Sequence, residues 1–130
     1  MVYLTLWNKM IYKVKAKFNQ SKAKEFHKKL TDGTIQKQQP DGLEMVDSMK
    51  RATIDDKGYV NWTELCYCPS PLMHERATVL DKYFTDMETE SIENHETYEG
   101  KSFMEHLLSF WVYQLFNFSI YMDKAYKSCF

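Results

Sequence analysis

Apolar and charged positions alternate strictly from Tyr12 to Phe18, within the segment MIYKVKAKFN (residues 10–19) near the start of the chain. Four apolar side chains share one parity and three lysines share the other: Tyr12, Val14, Ala16 and Phe18, against Lys13, Lys15 and Lys17. A period of two is typical of a half-buried strand. The segment therefore predicts a strand with one face toward a core and one face carrying lysines.

The following segment, NQSKAKEFHKKL, changes to helical spacing. Four side chains recur at i, i+3, i+4 and i+7: Ala23, Phe26, His27 and Leu30. Asn19 or Ser21 can cap the start of this helix, and Asp32-Gly33 can end it. His27 lies on the apolar stripe, so we interpret it as a half-buried packing residue and not as a ligand.

A hairpin is predicted in TIDDKGYVNW, where two β-rich runs flank Asp55-Asp56-Lys57-Gly58. Gly58 can supply the positive φ that such a loop needs. The second arm of this hairpin is predicted to run from Tyr59 to Cys68. The first arm, within residues 45–54, has a weaker pattern, and its start could instead be helical.

A second helix is predicted in PSPLMHERATVLDKYF (residues 69–84), with Ser70 as N-cap and Pro71 in the first helical position. Its apolar stripe is Met73, Ala77, Leu80 and Phe84, and Leu72, Val79 and Tyr83 widen it. Residues 86–99 then carry six acids and no Lys or Arg, and they are predicted to form a last strand that ends at Gly100.

This order of strand, helix, strand, strand, helix and strand resembles the ferredoxin-like βαββαβ plait, an α+β fold with an antiparallel sheet and helices on one face. We expect a single domain over residues 1–130, with a plait core at 10–99 and an apolar extension at 100–130. The layout is similar to that of the dimeric α+β barrel group, which implies that open sheet faces meet in a homodimer. That group also hosts small enzymes, so the layout alone does not choose a function.

Charge is distributed in two blocks although the net charge of the 130-residue chain is only −1. Eight lysines and a single acid lie between Lys9 and Lys29, whereas residues 86–99 are purely acidic. In the plait the first and fourth strands are antiparallel neighbours, so the lysines are expected beside the acids. The lysine face also lacks interleaved aromatic side chains, and we therefore predict no binding to nucleic acid.

Cysteine content and the N-terminal sequence favour a cytoplasmic location. The three cysteines form no even set, which is typical of a reducing compartment. The start MVYLTLWNKM has no basic region followed by a long apolar run, so no signal peptide is predicted.

The segment NWTELCYCPSPLMHER concentrates the candidate chemistry. On a strand, Trp62, Glu64 and Cys66 share one face with Cys68. A carboxylate facing the helices would be a costly buried charge, so Glu64 is expected on the open face beside the lysines of the first strand. Leu65 and Tyr67 would then face the helices. The predicted residues of a small-ligand site are Lys13, Lys15, Trp62, Glu64 and Cys66.

This segment could have a reactive role, as a metal site or as a nucleophile, or its cysteines could simply fill a strand that leads into a helix. Cys66, Cys68 and His74 offer three donors, but Cys-x-Cys followed by a histidine six residues later is not a spaced zinc signature, so no metal or cofactor is predicted. Alternatively, Cys68 before a helix N-terminus could be a nucleophile, with His74 as base and Glu75 or Glu64 orienting it. The enzyme hypothesis therefore depends on Cys68, His74 and Glu75.

The C-terminal part is the most apolar, and residues 107–122 carry no charge. Because sixteen residues are fewer than the roughly 18–20 that span a bilayer, we predict an apolar helix and no membrane association. A strand in its second half and a membrane-associated tail are the alternatives. Since an exposed apolar helix needs a cover, we expect a homodimer. The chain is thus predicted to be a self-associating module that binds a small molecule or a protein, with a small Cys/His/Glu enzyme as the alternative.

Overall fold

The computed structural model of the protein describes residues 9–112. Of the predicted apolar extension, residues 103–112 are helical, and residues 113–130 lie outside the described part. Two short 3-10 helices, Gln20–Lys22 and Leu80–Lys82, accompany the main elements. In chain order the main elements are β1 (Met10–Phe18), α1 (Ala23–Thr31), α2 (Gly42–Arg51), β2 (Thr53–Ile54), β3 (Tyr59–Cys66), α3 (Met73–Thr78), β4 (Phe84–Ile92), β5 (Lys101–Ser102) and α4 (103–112).

The strands form one antiparallel sheet in the order β4–β1–β3–β2–β5. The predicted α+β class and the predicted pairing of the first strand with the acidic strand are confirmed. Lys13 lies opposite Glu90, and Lys15 lies opposite Glu88. Opposite charges on neighbouring strands favour this register over a shifted one.

The core lies between the sheet and the helices, on the apolar face of β1. The predicted alternation of β1 is confirmed, because Tyr12, Val14, Ala16 and Phe18 are all buried. Four phenylalanine rings join β1, α1, β4 and α4, and every pair of their centroids is 5.0–6.1 Å apart: Phe18, Phe26, Phe84 and Phe103. These aromatic contacts hold α4 against the same face of the sheet as α1.

The first arm of the hairpin is mostly helical. Residues 42–51 form α2, and only Thr53 and Ile54 pair with β3. Gly42 at the start of α2 lies against the preceding turn, where an added Cβ would be 2.0 Å from the carbonyl oxygen of Ile35. The predicted hairpin loop is present, and Gly58 has a φ of +87°.

The predicted helix at 69–84 is reduced to α3, Met73–Thr78. Its N-cap is Leu72, in the left-handed region with a φ of 53°, and the expected cap Ser70 plays no such role. The predicted stripe is wrong at two positions, since Met73 is 51% exposed and Ala77 is exposed. Its other members are buried as predicted: Leu72, Val79, Leu80, Tyr83 and Phe84.

The last predicted strand is also shorter, since β4 ends at Ile92. Residues 93–100 then cross the lysine-bearing face of the sheet and lead to β5 on the far edge. His95 Nδ1 is 2.7 Å from Thr63 Oγ1 on β3, and the Lys13 Nζ lies 5.3 Å from the centroid of the Tyr98 ring. We call residues 93–100 the crossing segment. It covers part of the face that was expected to be open.

Within residues 9–112, every helix is too short or too polar to cross a bilayer.

Candidate functional site

The inward face of β3 carries the polar side chains that were expected outside. Trp62, Glu64 and Cys66 are buried toward the helices, while Tyr67 is 54% exposed. The prediction that Glu64 lies on the lysine face is therefore wrong. The cause is strand register: Glu64 lies opposite Tyr12, so it points to the apolar side of β1.

This orientation separates the predicted ligand-binding residues into two groups. Trp62, Glu64 and Cys66 face the helices, whereas Lys13 and Lys15 lie on the opposite face. The Nζ atom of Lys15 lies 5.0 Å from the centroid of the Tyr59 ring, on this outer face of the sheet. A ligand on the inner face would meet the carboxyl group and the thiol but not the lysines.

Glu64 is a fully buried acid without a hydrogen-bond partner on either carboxylate oxygen among the described residues. Burial raises the pKa of Glu64 well above its usual value, and the negative charges of Glu75 and Glu44 raise it further. The Ser48 hydroxyl lies near enough to Glu64 to lower the pKa of its carboxyl group in part, but it donates its hydrogen bond to Glu44 Oε1 at 3.4 Å. An unpaired group in this position is costly to keep.

Two thiols and a second buried carboxylate lie beside Glu64, where β3 leads into α3. The Cys68 backbone N–H donates to Cys66 Sγ at 3.2 Å, and Cys68 Sγ is 3.8 Å from Glu75 Oε2. One donor atom from each of these three residues lies within 4.8 Å of the others. Burial raises the pKa of the Cys66 thiol to about 12 and also raises the pKa of Glu75.

His74 has a different partner from the one predicted. Its Nδ1 forms a short hydrogen bond with Asp41 Oδ2, across the start of α2. Asp41 also accepts a hydrogen bond from the Gln38 amide at 3.3 Å. Of the three predicted catalytic candidates, the structure brings Cys68 and Glu75 together, while His74 joins α3 to the residue before α2.

Sequence reasoning missed the contribution of α2 to this site. β2 pairs only with Val60 and Asn61, so the edge of β3 beyond them meets α2 instead. Glu44 Oε1 accepts a hydrogen bond from the Leu65 N–H at 2.9 Å, and Arg51 Nη2 donates to the Thr63 carbonyl at 3.1 Å. The spacing of seven between Glu44 and Arg51, two helical turns, was the available signal.

Comparisons with protein-family models, with curated proteins and with solved structures found no match for this chain.

Proposed function

We propose that the protein is a self-associating binding module whose small ligand contacts Glu64 on the inner face of β3. The observation that carries this proposal is the complete burial of the Glu64 carboxyl group without a partner among residues 9–112. An unsatisfied buried acid costs several kcal/mol (about 2–7 for a polar group). A buried group that destabilises the folded protein is retained where it has a function. Binding of a cationic or hydrogen-bond-donating ligand would offset the free-energy cost of burying Glu64.

The proposal is tested by native mass spectrometry of the full-length protein, purified at neutral pH without chelators. Wild type is compared with Glu64→Gln and with Glu90→Gln, which alters an acid on the other face of the sheet. We expect a bound mass on wild type and on Glu90→Gln that Glu64→Gln loses. No bound mass on wild type, or the same mass on all three proteins, would contradict the proposal.

A small enzyme is the second candidate, and the contact of Cys68 with Glu75 favours it. Cys68 is half-buried, and a carboxylate 3.8 Å from its sulfur could accept the thiol proton. The test is the rate of alkylation in a Cys129→Ser background, which removes the thiol outside the described residues. If the protein is such an enzyme, we expect Cys68 to be alkylated faster than free cysteine. Glu75→Gln should then lower the alkylation rate of Cys68 to that of free cysteine. Slow labelling of both thiols would leave only the binding module.

Self-association is proposed through α4. Leu108 and Val112 are 48% and 57% exposed on this helix. A second copy of the chain is the simplest cover for such a surface. The same native spectra test this point, because the double variant Leu108→Glu, Val112→Glu should shift a dimer to monomer. A monomeric wild type at micromolar concentration would contradict it.

The finer fold assignment and the location belong to the proposal as well. A ferredoxin-like plait is supported by the order β4–β1–β3–β2 with helices on one face, to which β5 and α4 are additions. A cytoplasmic location is supported by Cys66 and Cys68 being free thiols.

A further inference from the structure

Three donor groups of different chemistry converge where β3 leads into α3. Cys66 supplies a buried thiol from the end of the strand, Cys68 supplies a half-buried thiol two residues later, and Glu75 supplies a buried carboxylate from α3. Because their donor atoms lie within 4.8 Å of one another, small side-chain rotations could bring all three to one ion. To bind Zn²⁺, the side chains must bring each sulfur to about 2.3 Å and a carboxylate oxygen to about 2.0–2.2 Å from the ion.

An independent observation also points to a cation at this place. Glu64 lies on the same face of β3 as Cys66, two residues earlier, and both of its carboxylate oxygens are buried without a hydrogen-bond partner among the described residues. Its carboxylate lies outside the group of three donors whose atoms are all within 4.8 Å of one another, and its charge interacts with that of Glu75. A bound cation would stabilise both buried carboxylates.

We infer that Cys66, Cys68 and Glu75 form a binding site for a divalent cation of borderline softness, of which Zn²⁺ is the representative, and that the buried carboxyl group of Glu64 supports this site without ligating the ion. The inference rests on the proposed function, because it names the chemical class of the ligand for the same inner face of β3. It also changes the expectation that the chain binds no metal. The sequence indicated His74 as the third donor. In the structure the third donor is Glu75, which contacts Cys68, and His74 forms a hydrogen bond with Asp41 instead.

The donor set selects among cations. Ca²⁺ and Mg²⁺ take six or more oxygen ligands, which two thiols and one carboxyl group do not provide. Two sulfurs and one carboxylate oxygen, with a solvent molecule as the fourth ligand, suit four-coordinate Zn²⁺, and Co²⁺ occupies such sites as a spectroscopic probe. On binding, each thiol releases its proton to solvent, and the thiolate sulfur coordinates the ion. The half-buried Cys68 gives the ion an approach from solvent.

The experiment is a Co²⁺ titration of the full-length Cys129→Ser protein, prepared free of metal and followed by absorbance. We expect one Co²⁺ per chain, with a sulfur-to-cobalt charge-transfer band in the near ultraviolet and the strong visible bands of tetrahedral cobalt. Added Zn²⁺ should displace both signals. Cys66→Ser and Cys68→Ser should each remove about half of the charge-transfer intensity.

The carboxylates are tested by Glu75→Gln and Glu64→Gln, which keep side-chain volume. Glu64→Gln should weaken Co²⁺ affinity about 10–100-fold, the range seen when a group that supports a metal site without ligating the ion is removed. Glu75→Gln removes a ligand and should weaken affinity at least as much. Glu88→Gln and Glu90→Gln, on the outer strand β4, are the matched controls and should leave affinity unchanged. Circular dichroism confirms that each variant is folded.

Three results would overturn the metal inference. The first is the lack of a charge-transfer band in folded wild-type protein at saturating Co²⁺. The second is a band that survives both cysteine substitutions. The third is a Co²⁺ affinity that the Gln variants do not change. If native spectra still show a bound mass that depends on Glu64, the binding module stands and its ligand is an organic cation or hydrogen-bond donor.

Discussion

Glu64 lies directly opposite Tyr12 in the ladder between β1 and β3, and both side chains face the helices. Tyr12 is thereby drawn into the same cluster, since burial and the charges of Cys66 and Cys68 raise the pKa of its phenol. A phenol, a carboxyl group and two thiols thus lie near the start of β1 and the end of β3. The apolar core therefore ends at a group of side chains that can bind a ligand.

Glu64→Gln should increase the stability of the metal-free protein and weaken ligand binding. The substitution keeps shape but removes the charge that would otherwise be buried, so we expect a gain of about 1–2 kcal/mol in the free energy of unfolding at pH 8. Urea unfolding of both proteins measures it. A loss of stability would show that the carboxyl group has a structural partner. Gain of stability with loss of binding is the expected signature of a functional residue.

The hydrogen bond between Asp41 and His74 should contribute to stability more than an exposed ion pair does. It joins α2 to α3, and Asp41 is only 10% exposed in its side chain. We expect Asp41→Ala to cost about 1–3 kcal/mol, as when a partner of a part-buried charged group is lost. Thermal and urea unfolding measure this cost.

The matched control is Arg76→Ala, which removes the pair of Arg76 with Asp81 on the same part of the chain. That pair is 3.3 Å long, with side chains 43% and 57% exposed, so its loss should cost no more than about 1 kcal/mol. Equal costs for Asp41→Ala and Arg76→Ala would show that the contact of Asp41 with His74 adds nothing beyond a surface pair.

Gly42 should tolerate substitution far less well than Gly33. An alanine Cβ at Gly42 would meet the Ile35 carbonyl oxygen at 2.0 Å, and a backbone atom cannot rotate away. We expect Gly42→Ala to cost more than about 3 kcal/mol, through displacement of α2. Gly33 has a φ of +89° and open space around it, so Gly33→Ala should cost about 1–2 kcal/mol. Similar urea midpoints for the two variants would contradict this order.

His106 should make stability fall as pH decreases through the range where a free histidine titrates. Burial, and then the charge of Lys101, lower its pKa in the folded state, and its Nε2 lies 2.7 Å from Gln20 Oε1. Because the unfolded chain binds the proton more readily, stability starts to fall near pH 6.5 and continues to fall until the lowered folded pKa is passed.

The test compares wild type with His106→Gln at pH 7.5 and pH 5. The loss of stability between these two values should be smaller for the variant, by a few tenths of a kcal/mol, because the site is partly solvated. Parallel curves for wild type and His106→Gln would show that this histidine does not contribute to the pH dependence.

The strand with a clean pattern was predicted well, and the strand with a mixed pattern was not. On β1 every apolar residue except Ile11 has the same parity, so its inward face could be read directly from the sequence. On β3 both parities carry polar groups, and the rule that buried charge is avoided placed Glu64 outside. That rule fails at functional sites, because the cost of burial there is offset by binding.

The predicted start of α3 was wrong for a local reason. Ser70 and Pro71 are typical of a helix start, yet the chain enters α3 only after Leu72, whose left-handed conformation keeps its side chain in the core. The spacing of Glu44 and Arg51 indicates a shared helical face but not what that face contacts, because both side chains reach β3 only where β2 stops. Such contacts depend on the length of a neighbouring strand, which local pattern does not determine.

The crossing segment has little slack for the path that it follows. Ile92 is opposite Ile11, whereas Lys101 is opposite Ile54, so the route is diagonal over the sheet. Four strand spacings of about 4.8 Å and an offset of roughly five residues along the strands make about 25 Å. The nine steps from Ile92 to Lys101 reach at most about 31 Å. Removal of more than about two residues would therefore shorten the route below the distance between the two edge strands, while insertions would only loosen it.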